Sequence, residues 1–257
     1  IAKLINKNNC SNRDSYGNTP LHIAIQKNAG PELIKYIIDC GSDVNARNRY
    51  GDAPLFLAVQ KNLRTAGELL LSRQADVFAT NTDNQSPLKL ALTAGGEITD
   101  WILSSEILLA ADGIGNTPLH YAAEWKLDSA VAVLLEKGAN PNKQNSNGET
   151  PLFNAVKSNS PSTIQLLLDR GSDKNMRDYL GNTALHSCVR WDSRDAAKKL
   201  IANGIAINAQ NISGKTPLHD AAKAGRTVMV DLLLTNGADI NATDSTGKTV
   251  LFDAIQS

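Results

Sequence analysis

The sequence lacks the features that mark most catalytic and membrane chains. It has no apolar run long enough to span a bilayer, and its N-terminus does not read as a signal peptide. No insertion into a membrane is expected. Neither sign of charge is in excess, with 26 Lys and Arg against 26 Asp and Glu, so no global field draws the chain to nucleic acid or anionic lipid. Aromatic residues make up only 5%, which further weakens a nucleic-acid reading. There is no G-x-x-x-x-G-K-[ST] loop to cradle phosphates and no G-x-S-x-G elbow. The cysteines are few and odd in number (Cys10, Cys40, Cys188), and no metal-type Cys/His spacing occurs. Neither a cofactor nor a metal is expected. Three unpaired thiols fit a reducing compartment, so the cytoplasm is the expected location, with a periplasmic or secreted one left open.

What the chain does have is one stretch, written over and over. In Gly115-Asn116-Thr117-Pro118-Leu119-His120-Tyr121-Ala122 each residue has a mechanical reason to be there. Gly115 supplies the positive φ of a tight turn. Thr117 is an N-cap, and Pro118 at the first helical position gives up an N–H that would be orphaned anyway. Leu119 begins an apolar stripe, and Ala122 is small enough for a second helix to lie close. The Thr position recurs as Thr19, Ala53, Ser86, Thr117, Thr150, Thr183, Thr216 and Thr249, at steps of 34, 33, 31, 33, 33, 33 and 33 residues. A second signature follows most copies: an apolar helix end, a Gly, then a segment containing Asn, as in Leu134 to Asn142 and Leu233 to Asn241.

A 33-residue period with T-P-L-H-x-A resembles the ankyrin repeat over essentially the whole chain. The resemblance implies an all-α fold, an ankyrin-repeat solenoid of stacked helix-turn-helix pairs with short β-hairpin fingers. It is read as a single domain over residues 1–257. A partial repeat at 1–13 precedes repeats at 14–47, 48–80, 81–111, 112–144, 145–177, 178–210 and 211–243, and a partial repeat at 244–257 follows. Residues 1–9 read as the tail of a second helix, with Leu4-Ile5 at the place of the paired leucines. Both ends fall inside a repeat, so an excerpt of a longer protein is expected.

Two repeats depart from the pattern. In the second, Gln74 stands where Gly ends the helix, at a left-handed position that costs Gln more. In the third, Asn84 replaces the turn Gly, Gly95-Gly96 interrupts the link between helices, and the Gly-Ala-Asp turn is missing. Leu108 and Leu109 fall where an extended segment is expected, and the register of Trp101 is left open.

The polar residues of the motif read as structural. All four histidines (His22, His120, His186, His219) lie three residues after the Thr position, where the resemblance implies that His bonds within the turn network and holds adjacent units. Phe56, Lys89, Phe153 and Phe252 stand in elsewhere. Asp14, Asp112, Asp178 and Asp244 sit where a side chain caps the turn. Asn45, Asn142, Asn175, Asn208 and Asn241 bridge loop backbone. Cys188 replaces the small Ala and reads as a buried hydrophobe. No catalytic residue emerges, and the chain is not expected to be an enzyme or to take a small-molecule substrate.

Binding is expected on the variable surface. In the resembled family the concave groove is lined by the ends of the first helices and by the fingers. Those helix ends carry a row of cations, Lys27, Lys61, Lys126, Lys157, Arg190 and Lys223, answered by Glu124 and Asp192. Helix C-termini also favour cations, which accounts for part of the bias. Trp125 and Trp191 lie at matching places as expected anchors, and Tyr50 and Tyr179 at finger tips. Acidic residues gather instead on the second helices. The expected function is a non-enzymatic, monomeric interaction scaffold that binds a protein or acidic peptide in its groove. The alternative is a targeting arm of a longer enzyme or secreted effector whose chemistry lies outside these residues.

Overall fold

A computed structural model describes residues 5–255, except for the side chain of Ser105. The helix expected over residues 1–4 therefore lies outside the described residues, as does the end of the last helix at Gln256 and Ser257. Ile5 to Ser11 do not continue a helix: residues 7–11 form turns. The chain divides into two compact units, Ile1–Ile107 and Leu108–Ser257.

The first unit holds three helix pairs: α1 (Pro20–Gln26) with α2 (Pro31–Asp39), α3 (Pro54–Gln60) with α4 (Arg64–Leu71), and α5 (Pro87–Ala94) with α6 (Gly96–Ile102). A short α7 (Ser105–Leu109) begins in it. The second unit holds α8 (Pro118–Glu124) with α9 (Asp128–Glu136), α10 (Pro151–Lys157) with α11 (Pro161–Asp169), α12 (Ala184–Trp191) with α13 (Arg194–Ala202), and α14 (Pro217–Lys223) with α15 (Thr227–Thr235), then α16 (Val250–Ile255). Within it α8, α10, α12, α14 and α16 pack in series, as do α9, α11 and α13. Helices of seven to nine residues are too short to stand alone. They persist because their apolar stripes are buried against neighbours: Leu21, Leu55, Leu88, Leu119, Leu152, Leu185 and Leu218 are all at most 1% exposed.

Each motif residue does local work. Among the His-bearing copies, the imidazole Nδ1 accepts from the backbone N–H of the capping Thr (3.1 Å from Thr117 to His120). The Thr hydroxyl bonds the same atom. The Nε2 side reaches the carbonyl of the next finger base: Asp52 from His22, Glu149 from His120, Lys215 from His186 and Lys248 from His219. An amide can only donate and a carbonyl only accept, so Nε2 carries the proton and each ring is neutral. Burial, against the pull of those carbonyls, holds His22, His120 and His186 below the ordinary imidazole range.

The finger turns close on their own side chains, as in Asp178, whose Oδ1 accepts from the amides of Leu180 and Asn182. Successive tips are joined by single backbone bonds, from Ser146 to Ile114, Tyr179 to Asn147, Ile212 to Leu180 and Ser245 to Ser213. Isolated antiparallel bridges at Arg177–Thr183 and Thr243–Thr249 mark two finger bases. Four of the five base asparagines, Asn45, Asn142, Asn175 and Asn208, bridge loops: Asn142 donates to the Gly171 carbonyl and accepts from the Asp173 amide.

The irregular third repeat corrects one expectation and gives the register that was left open. Leu108 and Leu109 are not extended but end α7, because the segment is too short for the usual turn and coils instead; Leu109 stays exposed. Trp101 is buried on α6, and its indole N–H donates to Asn62 Oδ1 at 3.1 Å. Its ring lies over Gly67 of α4, where an added Cβ would come within 2.4 Å. Later repeats carry Val131 or Ile164 at the place of Gly67. Gly95 and Gly96 both adopt positive φ, and so do Gln74 and Asn84. Phe252, unlike Phe56 and Phe153, is exposed rather than packed, since no further described helix covers it.

Candidate partner-binding site

In the second unit the first helices of successive repeats carry Glu124, Lys157, Arg190 and Lys223 in their last turns. Four residues after the Thr position they carry Tyr121, Asn154, Ser187 and Asp220. The two rows face one another across neighbouring repeats. Glu124 accepts from Asn154 Nδ2 at 3.0 Å and from Lys157 Nζ at 2.9 Å. Lys157 Nζ also stands 5.5 Å from the centre of the Trp191 ring, within cation–π range.

These residues line a polar cavity of about 280 Å³, with Arg190, Ser187 and Phe153 on its walls and Asn147, Glu149 and Ile114 of the fingers at its edge. Trp191 is 49% exposed there. Arg190, itself exposed, also lines an adjoining cavity of about 270 Å³ with His186, Asp220 and Arg226. Burial raises the Asp220 carboxyl, opposed by the nearby Lys215 cation. Asp192 is drawn elsewhere: Arg194 bonds it and lowers its pKa, and Arg226 lies 3.4 Å away.

Three of the residues expected to bind are thus brought together: Lys157, Arg190 and Trp191. Trp125 is not among the lining residues. It is half-buried, its ring 5.0 Å from that of Tyr121, whose hydroxyl donates to Asp112 at 2.6 Å. Lys126 occupies a left-handed link position, and Lys223 is exposed; neither lines these cavities. In the first unit Lys27 borders a separate, largely apolar cavity with Ile23 and Leu33, while Lys61 is exposed. Tyr50 and Tyr179 are 56% and 64% exposed at their tips. Within the cation row Lys157 is paired with Glu124. The second helices are likewise not bare acid: Asp39, Glu68, Glu136 and Asp195 each face a cation. Sequence reading passed over Asn154, Ser187, Glu149 and Asp220. For Asn154, Ser187 and Asp220 the signal was present in the row four residues after Thr, which varies between the capping His or Phe and the small Ala or Cys. Glu149 lies outside that row, just before Thr150.

Helix pairs capped by Thr and His, repeated with fingers between them, define a helical-repeat protein. Models of ankyrin repeats match residues 1–81, 55–145 and 128–211 in a three-copy form and 200–251 in a many-copy form. The chain belongs to the ankyrin repeat family. It is similar to neurogenic locus notch homolog protein 1 of Mus musculus and of Homo sapiens, 30% identical over 136 residues, and to that of Xenopus laevis at 28%. The match covers 52% of this chain and 5% of each of those proteins. Ankyrin repeats are in general protein–protein interaction modules and typically not catalytic. No described helix is long and apolar enough to cross a membrane.

Proposed function

We propose that the chain is a non-enzymatic scaffold that binds a protein or peptide partner along the first-helix side of its repeats. The observation that carries this is the cavity in which a half-exposed Trp191 stands beside Lys157 and Arg190. An indole held at the mouth of a polar cavity has the character of an interface anchor, where truncation costs ~2 kcal/mol or more. A protein partner is favoured over nucleic acid because Lys157 is spent on Glu124, leaving no continuous basic track. Three free cysteines, two of them buried, favour a reducing compartment such as the cytoplasm. The recurrence of the Thr positions supports one repeat domain over residues 1–257.

A second reading, a recognition arm within a longer protein, is favoured by the relatives, in which the matched stretch is 5% of the whole. Trp191→Ala and Trp125→Ala test the first reading. Trp191→Ala is expected to melt like the parent and capture less partner in affinity pull-downs. Trp125→Ala, which also loses the Tyr121 contact, is expected to lower the melting temperature. Undiminished capture by Trp191→Ala would remove the cavity from the binding surface.

A further inference from the structure

Building on the binding role just proposed, we infer that the cavity beside Trp191 reads a mixed-charge segment, one carboxylate and one cation, and not an acidic tract. Four charged side chains line it: Glu124, Glu149, Lys157 and Arg190. Two of them cancel, since Lys157 Nζ lies 2.9 Å from Glu124 and is held in place over the indole. That leaves one cation on α12 and one anion at a finger base. Among the described residues neither side chain makes an ion pair or hydrogen bond. Asp192, the carboxylate that follows Arg190 but one in sequence, is engaged by Arg194 and Arg226. Asn154 gives its amide N–H to Glu124, and its Oδ1 is buried without a partner.

A partner of one charge sign would gain at one of these groups and be repelled at the other. A segment carrying both signs satisfies both. Trp191, in the same lining, offers a face for whatever side chain joins the two charges. Arg190 suits the carboxylate because its planar fork can bind both oxygens at once. That carboxylate could belong to an Asp or Glu side chain or to a chain terminus; the chemistry at Arg190 is the same.

Selection from random 12-residue peptides displayed with free and with blocked carboxyl termini tests this. The parent protein is compared with Arg190→Gln, Arg190→Glu, Glu149→Gln and Trp191→Ala, each first shown to melt normally. The parent should enrich peptides that carry both an acidic and a basic residue. Arg190→Gln should lose the acidic preference, Glu149→Gln the basic one, and Arg190→Glu should select a second basic residue in place of the acid. For an individual selected peptide, each Gln variant should bind about three- to fivefold more weakly, the range of a solvent-accessible ion pair. Dependence on the free-terminus library would assign the carboxylate to a chain end, and its absence to a side chain. Enrichment of acid-only peptides, or charge preferences that ignore Arg190 and Glu149, would overturn the inference while leaving the binding role intact. If the parent enriches nothing beyond Trp191→Ala, the binding role itself falls.

Discussion

Thr150 and Thr117 occupy the same place in their repeats, yet only one has a use for its hydroxyl. Thr117 Oγ1 bonds His120, whereas at Thr150 the partner position is Phe153 and Oγ1 is buried without a partner. Thr150→Val should therefore be neutral within ~0.5 kcal/mol or stabilising, because it removes an unsatisfied buried group. Thr117→Val should cost ~1–2 kcal/mol. Urea denaturation of the two variants checks the contrast. The same geometry sets a pH response. In the unfolded chain imidazoles take up a proton near pH 6.5, but His22, His120 and His186 resist it when folded because burial disfavours the charge. Between those values the unfolded state holds more protons, so stability rises with pH and is lost as pH falls from 7 towards 5. Asp220, raised by burial, works the other way. Urea midpoints across this range should decline, and His120→Phe should flatten the slope while lowering stability at neutral pH. The caps were legible from residue spacing alone. The tautomer was not, since it depends on a carbonyl 29 residues away.

A helix pair is set by its stripe of apolar residues, but one pair here is set by a missing side chain. Gly67 on α4 leaves room for the Trp101 indole, and Asn62 fixes its N–H. Ala is ordinarily better than Gly inside a helix by about 0.5–1 kcal/mol. Gly67→Ala should nonetheless destabilise by ~1–3 kcal/mol, because the ring must move. In a Trp101→Leu background the same change should cost less or stabilise, a coupling that thermal melts of the four-protein cycle would measure. Helix positions were readable because Pro, Thr and Leu mark each start. The Trp101 register was not, because a repeat shortened by two residues has no copy elsewhere to align with, and its fit depends on an absence in the preceding repeat. The cavity residues were half readable: the last-turn cations follow from helix phase, while the Glu124–Lys157 pairing requires knowing which turns of two repeats meet.

Along the whole chain, stability in a repeat array is close to a sum of each repeat's own stability and its contacts with neighbours. The third repeat is poorest on the first count, with Gly95 linking α5 to α6 and Gly96 opening α6, both at positive φ, and an exposed Leu109 on α7. Hydrogen exchange should show residues 88–111 opening faster than residues 119–142, where turn and caps are intact; equal rates would mean that the Trp101 anchor has repaired the defect. The bonds between repeats carry a different consequence. Each imidazole ends on a backbone carbonyl, and the residues supplying it are Asp52, Glu149, Lys215 and Lys248, acids and bases alike. The junction is indifferent to the identity of its neighbour. A duplicated His-bearing repeat would carry its own connector to whatever unit follows, so copies of such repeats can be added as whole units, and a gene encoding them can drift in copy number without first evolving a new joint.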